Sequence, residues 1–416
     1  MSLIVEDGLA AFQSAAAPGD WPHWPRVDRD RALATIGQVL DGRIWTIRAP
    51  GDRPCLTERA EQQLARLFGA KYAFLVSSGT VAVELAVRAL RLPPDAEVVV
   101  PGFGWFATAA AVRRAGARPV FADVDPETSC LDPAAVSSAL SPRTAAIVAV
   151  HLHCALAEMD RLMEIADRHD LPLIEDCAQA HGAMYAHRPI GTFGRIGCFS
   201  FNQEKLIAVG EGGCVITDDA ELAGYLHALR TDGYLSPPGP VREFVSHGGI
   251  MGGNGCCSEF TAALLLSQLE DFSRLDGLRR AHGAALVQHL GDVEGVVPLA
   301  TAPNTTRRVW HEFAMLVDPA AFGEADIDAI GDWLTDVLGF PVHRSDEPTN
   351  VSPLLAFSEA VAPCPNAHLL YDRLLVFHHR MLLDPRIVDA VPDGFERLRR
   401  RAGAGAGVVP EAGERP

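Results

Sequence analysis

The chain has 416 residues, of which 48% are hydrophobic, and a formal net charge of −17 at pH 7. This acidic balance argues against a nucleic-acid partner, because phosphate backbones require a basic surface. No sequence window approaches the roughly 18 apolar residues of a membrane span, so we predict a protein without a membrane partner that acts on a small molecule.

The first two thirds of the sequence alternate between helical and strand-like segments. The first 50 residues are rich in Pro, Trp and Asp and are predicted to form an arm with one helix at 28–40. Apolar runs predict strands at 72–76, 97–100, 119–123, 145–151, 171–175, 197–201 and 213–217. Between them, helices are predicted at 57–68, 81–92, 105–115, 159–169 and 221–231. This alternation predicts a mostly parallel sheet covered by helices on both faces.

The remainder of the sequence changes character. A long helix is predicted at 258–290, which completes a large α/β domain over 51–290. Shorter mixed segments over 291–400 predict a smaller α+β domain, and the arm over 1–50 precedes both. The Gly-, Ala- and Pro-rich tail at 401–416 is predicted to be disordered.

The nine cysteines are odd in number and partly lie within apolar strand-like runs. They are typical of small buried hydrophobes in a reducing compartment, and they do not cluster with histidines at zinc-binding spacing. A catalytic cysteine, Cys154 or Cys256, is the less favoured alternative. The N-terminus shows neither a basic region nor a long apolar stretch, so we predict no signal peptide and a cytoplasmic location.

Lysine is rare, since only Lys71 and Lys205 are lysines among 36 cationic residues. Arginine supplies permanent charge but does not easily become a neutral nucleophile, so a retained lysine suggests a need for its amine. Lys71 has the context of an ordinary surface residue. Lys205 follows an apolar run and could form a Schiff base with a carbonyl. A salt bridge from Lys205 to Glu204 or Glu211 is an equally good interpretation of its position alone.

A cluster of hydroxyls lies between the first strand and the following helix, at Ser77, Ser78, Gly79 and Thr80. Backbone N–H groups at a helix N-terminus, with hydroxyls beside them, are suited to binding phosphate. A plain Ser/Thr N-cap is the alternative, and is favoured when the motif is taken alone. Ser200 could add another hydroxyl, or it could bond locally within its strand.

Two further strand ends carry candidate ligand-binding side chains. Trp105 follows the second strand, where an aromatic ring could stack on a planar ligand, although a core tryptophan is the commoner case. Asp176 ends another strand, where a carboxylate could keep a pyridine nitrogen protonated, or could cap the following turn. Gln179 could donate to a phenolic oxygen.

These elements form one chemically complete set when they are taken together. A phosphate site, a stacking ring, a carboxylate for a pyridine nitrogen and an amine for an aldehyde all arise at strand ends of the same predicted sheet. The combination indicates pyridoxal 5′-phosphate as cofactor. A nicotinamide dehydrogenase is disfavoured, because no Gly-x-Gly-x-x-Gly turn follows a first strand.

Five strings, at 76–80, 100–105, 121–125, 174–182 and 210–213, resemble those of the DegT/DnrJ/StrS family of pyridoxal-phosphate-dependent sugar aminotransferases. The resemblance extends from about residue 24 to residue 383. It implies a fold-type I architecture like that of aspartate aminotransferase. The large domain would contain a mostly parallel seven-stranded sheet, with a smaller α+β domain after it.

The resemblance also implies roles for individual residues. Lys205 would form the internal aldimine, Asp176 would contact the pyridine nitrogen and Gln179 would contact the phenolic oxygen. Trp105 would lie over the cofactor ring. The phosphate would be bound by Ser78, Gly79, Thr80 and Ser200. Asn254 would reach the phosphate of the neighbouring subunit's cofactor, which implies a homodimer with shared active sites.

The segment 251–260 resembles the family branch that acts on keto-cyclitols in aminoglycoside biosynthesis, with L-glutamine as the implied amino donor. Lysine rather than histidine at position 205 indicates transamination rather than dehydration. The chain departs from the usual family pattern within 151–156 and at Thr261, both near the expected substrate side, so another ketone could be the acceptor. The alternatives are a pyridoxal-phosphate enzyme that catalyses dehydration, aromatisation or C–N bond formation, and a non-catalytic cofactor-binding partner.

Overall fold

The protein is described from a computed structural model, which covers residues 21–47, 55–235, 245–246, 249–352 and 363–404. Residues 1–20 and 48–50 of the predicted arm and 405–416 of the predicted tail lie outside the described residues.

The secondary structure follows the predicted alternation of helices and strands. The α-helices are α1 Arg29–Gly42, α2 Leu56–Phe68, α3 Gly79–Ala89, α4 Ala107–Arg114, α5 Pro133–Ala139, α6 Met159–Arg168, α7 Ala220–Arg230, α8 Glu259–Leu290, α9 Ile327–Leu338, α10 Pro365–Arg373 and α11 Ile387–Gly403. The strands are β1 Tyr72–Val76, β2 Glu97–Pro101, β3 Arg118–Ala122, β4 Thr144–Val150, β5 Leu173–Asp176, β6 Met184–Tyr185, β7 Arg188–Pro189, β8 Ile196–Ser200, β9 Gly213–Thr217, β10 Tyr234–Leu235, β11 Val245–Ser246, β12 Val296–Pro298, β13 Thr305–Arg307, β14 Glu312–Val317, β15 His343–Arg344 and β16 Leu374–His378. Single 3₁₀ turns occur at Pro319–Phe322, Thr349–Val351 and His379–Leu383.

The central sheet has seven strands in the order β1-β9-β8-β5-β4-β2-β3. The pairs from β8 through β3 are parallel, whereas β9 runs antiparallel to both of its neighbours. Every residue of β2, β8 and β9 is buried, as expected for strands covered on both faces. The predicted mostly parallel seven-stranded sheet is therefore confirmed.

A second, antiparallel sheet lies in the C-terminal part of the chain, in the order β12-β14-β16-β15. Its core includes the stacked rings of Phe313 and Phe377, whose centroids are 5.1 Å apart. The ring of Trp310 stacks on Phe313 at the same distance. The long helix α8 connects the two parts of the chain and begins at Glu259, after Ser258, whose hydroxyl caps it. The final helix α11 continues to Gly403, so the first three residues of the predicted tail are helical.

The carboxyl ends of β1, β2, β4, β5 and β8 meet at one edge of the central sheet, because these strands run in the same direction. Ligands of open α/β sheets bind at this edge. Each of the candidate motifs at Ser78, Trp105, Asp176 and Ser200 lies at or just after the end of one of these strands. The topology thus brings together residues that are far apart in sequence.

Two further features concern the cysteines and the helices. Eight of the nine cysteine side chains are buried, as expected for small hydrophobes. Among the residues that the structure describes, none of the helices combines the length and apolarity needed to cross a bilayer.

Candidate active site

Lys205 lies in the turn that follows β8, and its amine points into the protein. Its Nζ atom is 3.3 Å from Nε2 of His311. Desolvation by burial lowers the pKa of Lys205, although four surrounding carboxylates oppose the shift. These carboxylates belong to Glu312, Asp176, Asp346 and Glu204. The lowered pKa makes the neutral amine more accessible than that of an ordinary lysine.

The two glutamates considered as salt-bridge partners of Lys205 bond to other residues. A carboxylate oxygen of Glu204 lies 3.3 Å from Nε2 of His378, and Glu211 accepts a hydrogen bond of 3.0 Å from the amide of Asn202. The environment of the lysine therefore favours the interpretation in which its amine is used chemically.

The backbone just before the lysine is held by side chains from both ends of the chain, and we call this arrangement the backbone clamp. The indole of Trp24 donates to the carbonyl of Gln203 at 2.9 Å. The Nε2 atoms of His378 and His379 lie 3.2 and 3.1 Å from the carbonyl oxygen of Glu204. These bonds fix the turn from which the lysine side chain extends.

Asp176 is the last residue of β5 and is 7% exposed. One carboxylate oxygen accepts a hydrogen bond of 2.7 Å from the hydroxyl of Thr108, and the other accepts from the N–H of Ala178 at 3.1 Å. The bond to Ala178 is the local turn contact considered from the sequence, whereas Thr108 orients the carboxylate from helix α4. Nearby, the side-chain oxygen of Gln179 accepts from the backbone N–H of His153.

The hydroxyl cluster lies at the N-terminus of α3. Ser78 is the N-cap, and its Oγ accepts from the N–H of Val81 at 3.2 Å. The capping interpretation is therefore correct, but it leaves other first-turn N–H groups without intrahelical partners. Ser200 lies directly against Gly79, since a Cβ built on the glycine would be 2.6 Å from the Ser200 Cβ. Together with the half-buried Thr80, these residues place hydroxyls beside the first turn of α3, an arrangement suited to an anion.

Trp105 is 56% exposed and its ring lies 4.9 Å from that of Phe106. It is therefore not a core residue, in contrast to the commoner case considered from the sequence. An exposed indole beside the strand ends can stack on a planar ligand.

Asn254 is also exposed, in a segment that runs along the carboxyl end of β1. The segment is anchored there because the carbonyl of the next residue, Gly255, accepts a hydrogen bond of 2.9 Å from the N–H of Ser77. A bridge between Asn254 and Thr231 holds it from the other side. The position leaves the asparagine side chain accessible to a neighbouring molecule.

Three polar residues outside the predicted site form a hydrogen-bonded group, and one of them, Glu312, acts on Lys205 through its charge. Nδ1 of His153 is 2.8 Å from a carboxylate oxygen of Glu312, and its Nε2 is 3.2 Å from the hydroxyl of Ser345. Burial alone would raise the pKa of Glu312, but the hydrogen bond to His153 and the nearby imidazoles hold it below its usual range. One side of the site is therefore lined by an ionised carboxylate. The only sequence signal was the departure from the family pattern at His153.

Substituting Gly79 with alanine is expected to disrupt the close contact between the N-terminus of α3 and Ser200. The new Cβ would also lie 3.2 Å from the backbone Cα of Ser200, so α3 and β8 would have to move apart. We expect a loss of about 1–3 kcal/mol in the free energy of unfolding, and at least about tenfold weaker binding of pyridoxal phosphate. Thermal unfolding and cofactor titration measure the two effects.

Gly224→Ala is the matched control for this substitution, because a Cβ at this position in α7 meets nothing within 4 Å. It should raise stability by up to about 1 kcal/mol and leave cofactor binding unchanged. Equal cofactor affinity in the Gly79 and Gly224 variants would contradict a role of Gly79 in the anion site.

Comparison with known proteins gives consistent similarities over nearly the whole chain. The profile of the DegT/DnrJ/EryC1/StrS aminotransferase family matches residues 29–396. An L-glutamine:2-deoxy-scyllo-inosose aminotransferase of Streptomyces kanamyceticus is 40% identical over 408 residues, which cover 92% of this chain and 94% of the relative. An L-glutamine:scyllo-inosose aminotransferase of Streptomyces griseus is 38% identical over 402 residues, covering 92% and 94%.

Solved structures give the same result for the architecture. The crystal structure of 3-amino-5-hydroxybenzoic acid synthase is similar with a TM-score of 0.81 and 29% sequence identity, covering 91% of this chain and 99% of that one. The predicted fold-type I architecture is confirmed by this similarity together with the observed sheet.

Proposed function

The chain belongs to the DegT/DnrJ/EryC1/StrS aminotransferase family, and from this membership we propose that it transfers the amino group of L-glutamine to a keto-cyclitol, with pyridoxal 5′-phosphate as cofactor. The main supporting observation is the convergence of three groups at one edge of the central sheet. These groups are the amine of Lys205, the carboxylate of Asp176 and the N-terminus of α3.

The residues of the site fit this cofactor. The phosphate would be bound by the N-terminus of α3 and by the hydroxyls and backbone of Ser78, Gly79, Thr80 and Ser200. Asp176 would hold the pyridine nitrogen, Gln179 the phenolic oxygen and Trp105 the ring face, while the amine of Lys205 would provide the covalent attachment. When bound, the cofactor supplies an electron sink for the carbon next to the nitrogen that is transferred.

Lys205 is the proposed proton carrier of the reaction. With the amino donor bound, the neutral Nζ of Lys205 would accept the α-proton of the donor and would deliver it on the other side of the transferred nitrogen. The desolvation that lowers its pKa favours the neutral form needed for the first of these steps. Asp176, held by Thr108, would stabilise the protonated pyridine nitrogen while the α-proton is moved.

The proposed substrates follow from the relatives. Two relatives with 38–40% identity over 92% of this chain are named for L-glutamine and for scyllo-inosose or its 2-deoxy form. Glu312 supports a polyhydroxylated acceptor, because an ionised carboxylate accepts hydrogen bonds from ring hydroxyls.

We further propose a homodimer with shared active sites. Asn254 is exposed at the edge of the site, and its segment is anchored to Ser77 through Gly255. In a symmetric pair, the amide of Asn254 would bind the phosphate of the neighbouring subunit's cofactor. A dissociation measurement with wild type and Asn254→Ala, with and without cofactor, tests this arrangement.

The proposed reaction can be tested directly with purified protein and pyridoxal phosphate. We expect L-glutamine and 2-deoxy-scyllo-inosose to give an aminated cyclitol and the keto acid of glutamine in equal amounts, measured by mass spectrometry. L-Glutamate and L-alanine serve as donor controls. A changed cyclitol without any keto acid would instead support dehydration or aromatisation, and an unchanged cyclitol in the presence of bound cofactor would refute the proposed acceptor.

A further inference from the structure

His311 is a buried imidazole next to the proposed catalytic amine. It directly precedes β14, is 4% exposed, and its Nε2 atom lies 3.3 Å from Nζ of Lys205. The two residues are 106 positions apart in sequence. None of the sequence motifs includes this histidine.

The ring of His311 is held in place by its own backbone and by a neighbouring ring. The backbone N–H of His311 donates to the backbone carbonyl of His153 at 3.1 Å. The backbone carbonyl of His311 accepts from the backbone N–H of His379 at 3.2 Å. The imidazole of His379 lies 5.8 Å away, centroid to centroid. The Nε2 atom is therefore presented to the lysine from a fixed position.

The environment of His311 keeps its imidazole neutral. Burial and the charge of Lys205 both place its pKa well below the usual value, and only Glu312 opposes them. The other titratable groups that act on it are His378 and His181. A neutral ring beside an amine does not compete for the proton that the amine carries.

The direction of the hydrogen bond follows from the chemistry of the lysine. While the amine of Lys205 is protonated it has three donors and no acceptor, so in that state Nε2 of His311 accepts the bond and the ring proton lies on Nδ1. That Nδ1 atom has no hydrogen-bond partner among the described residues. Among the described residues, the bond to the lysine is thus the side-chain hydrogen bond that orients this ring, beside the ring contact with His379.

From this geometry we infer that His311 is a positioning residue for Lys205, a neutral acceptor that holds the free amine so that its lone pair faces the site. The inference rests on the proposed role of Lys205 as proton carrier. A freed lysine has a flexible four-carbon side chain. Restricting its conformations increases the fraction of time that the amine spends in the reactive geometry.

The contact also has a consequence for the titration of the lysine. Accepting a hydrogen bond favours the protonated amine, so removing the acceptor lowers the pH at which Lys205 becomes neutral. The carboxylates of Glu312, Asp176, Asp346 and Glu204 remain in every variant and act in the same direction as before. The change can therefore be assigned to the imidazole.

The rarity of lysine makes this titration measurable in the apoprotein. An amine-acylating reagent applied across a pH series labels Lys205 and the exposed Lys71, and peptide mass spectrometry quantifies the two separately. Lys71 provides the internal reference for reagent reactivity. We expect the midpoint for Lys205 to fall by about one pH unit in His311→Phe, and to stay near the wild-type value in His311→Gln, which keeps an acceptor at similar reach.

His311→Leu is a second acceptor-free variant of different shape, and it replaces the phenylalanine variant if that protein does not fold. His282→Phe is the matched control, since this histidine lies on α8 and bonds to the carbonyl of Leu382. It should leave the Lys205 midpoint unchanged.

The loaded enzyme gives an independent readout. We expect kcat to fall about tenfold in the acceptor-free variants with little change in KM for the donor, and to be restored by His311→Gln. Identical Lys205 midpoints in wild type and in an acceptor-free variant overturn the inference, whatever happens to activity. A shifted midpoint in a protein that does not aminate the keto-cyclitol leaves the contact standing and refutes only the proposed function.

Discussion

Replacing Lys205 with alanine is expected to abolish transamination, with kcat reduced by about 10⁴-fold or more. The variant loses both the covalent attachment of the cofactor and the group that moves the α-proton. No other lysine is available to replace it, because the second lysine, Lys71, is exposed and follows the C-terminus of helix α2. The purified variant should therefore lack the visible absorbance of a lysine-bound cofactor.

Two companion variants sharpen this experiment. Lys71→Ala should retain full activity and absorbance. Lys205→Arg retains a positive charge but should be as inactive as the alanine variant, since a guanidinium does not become a neutral base. Substantial turnover in either Lys205 variant would contradict the proposed mechanism, whereas circular dichroism shows whether the fold has been preserved.

Substituting Asp176 with asparagine is expected to produce the second largest loss. Asp176 is 7% exposed, and in the proposed complex its negative charge pairs with the positive charge of the protonated pyridine nitrogen. Breaking a buried ion pair costs about 3–5 kcal/mol, which corresponds to a decrease in kcat of roughly 10²- to 10⁴-fold. The fold should persist, because asparagine keeps the size of the side chain and can still bond to Thr108.

Thr108→Val is the matched control for Asp176→Asn. It removes the hydroxyl that donates to the carboxylate at 2.7 Å but retains the negative charge. Its kcat should fall by only about tenfold, the cost of about one hydrogen bond to a charged group. A larger loss in the threonine variant than in the asparagine variant would show that orientation, rather than charge, governs the role of Asp176.

The sequence predicted the central sheet well because its signals are local. The strands β1 and β9 were predicted with the observed boundaries, 72–76 and 213–217, since each is an apolar run bounded by turn residues. Helix α5, Pro133–Ala139, was missed because its short run of Ala and Ser has little apolar period. Helix α11 extends to Gly403, beyond the predicted domain boundary at residue 400. Packing against the rest of the protein supports its last turn, whose own sequence has little helical pattern.

The site was predictable only where it is formed by strand ends of the central sheet. Asp176 and Ser200 occupy such positions and carry recognisable motifs. His311 and Glu312 reach the lysine from a separate sheet, over more than 100 residues of sequence, and no local pattern indicates that contact. Trp105 shows a different limitation, because an aromatic residue in sequence does not reveal its 56% exposure.

The backbone clamp links the assembly of the site to the order in which the chain is synthesised. The turn before Lys205 is bonded by Trp24, among the first residues described, and by His378 and His379, near the last. A nascent chain in which all seven strands of the central sheet have been synthesised still lacks both histidines. We therefore expect the cofactor to bind late in synthesis, after the ribosome has translated β16. A chain that is truncated before that strand should not retain the cofactor.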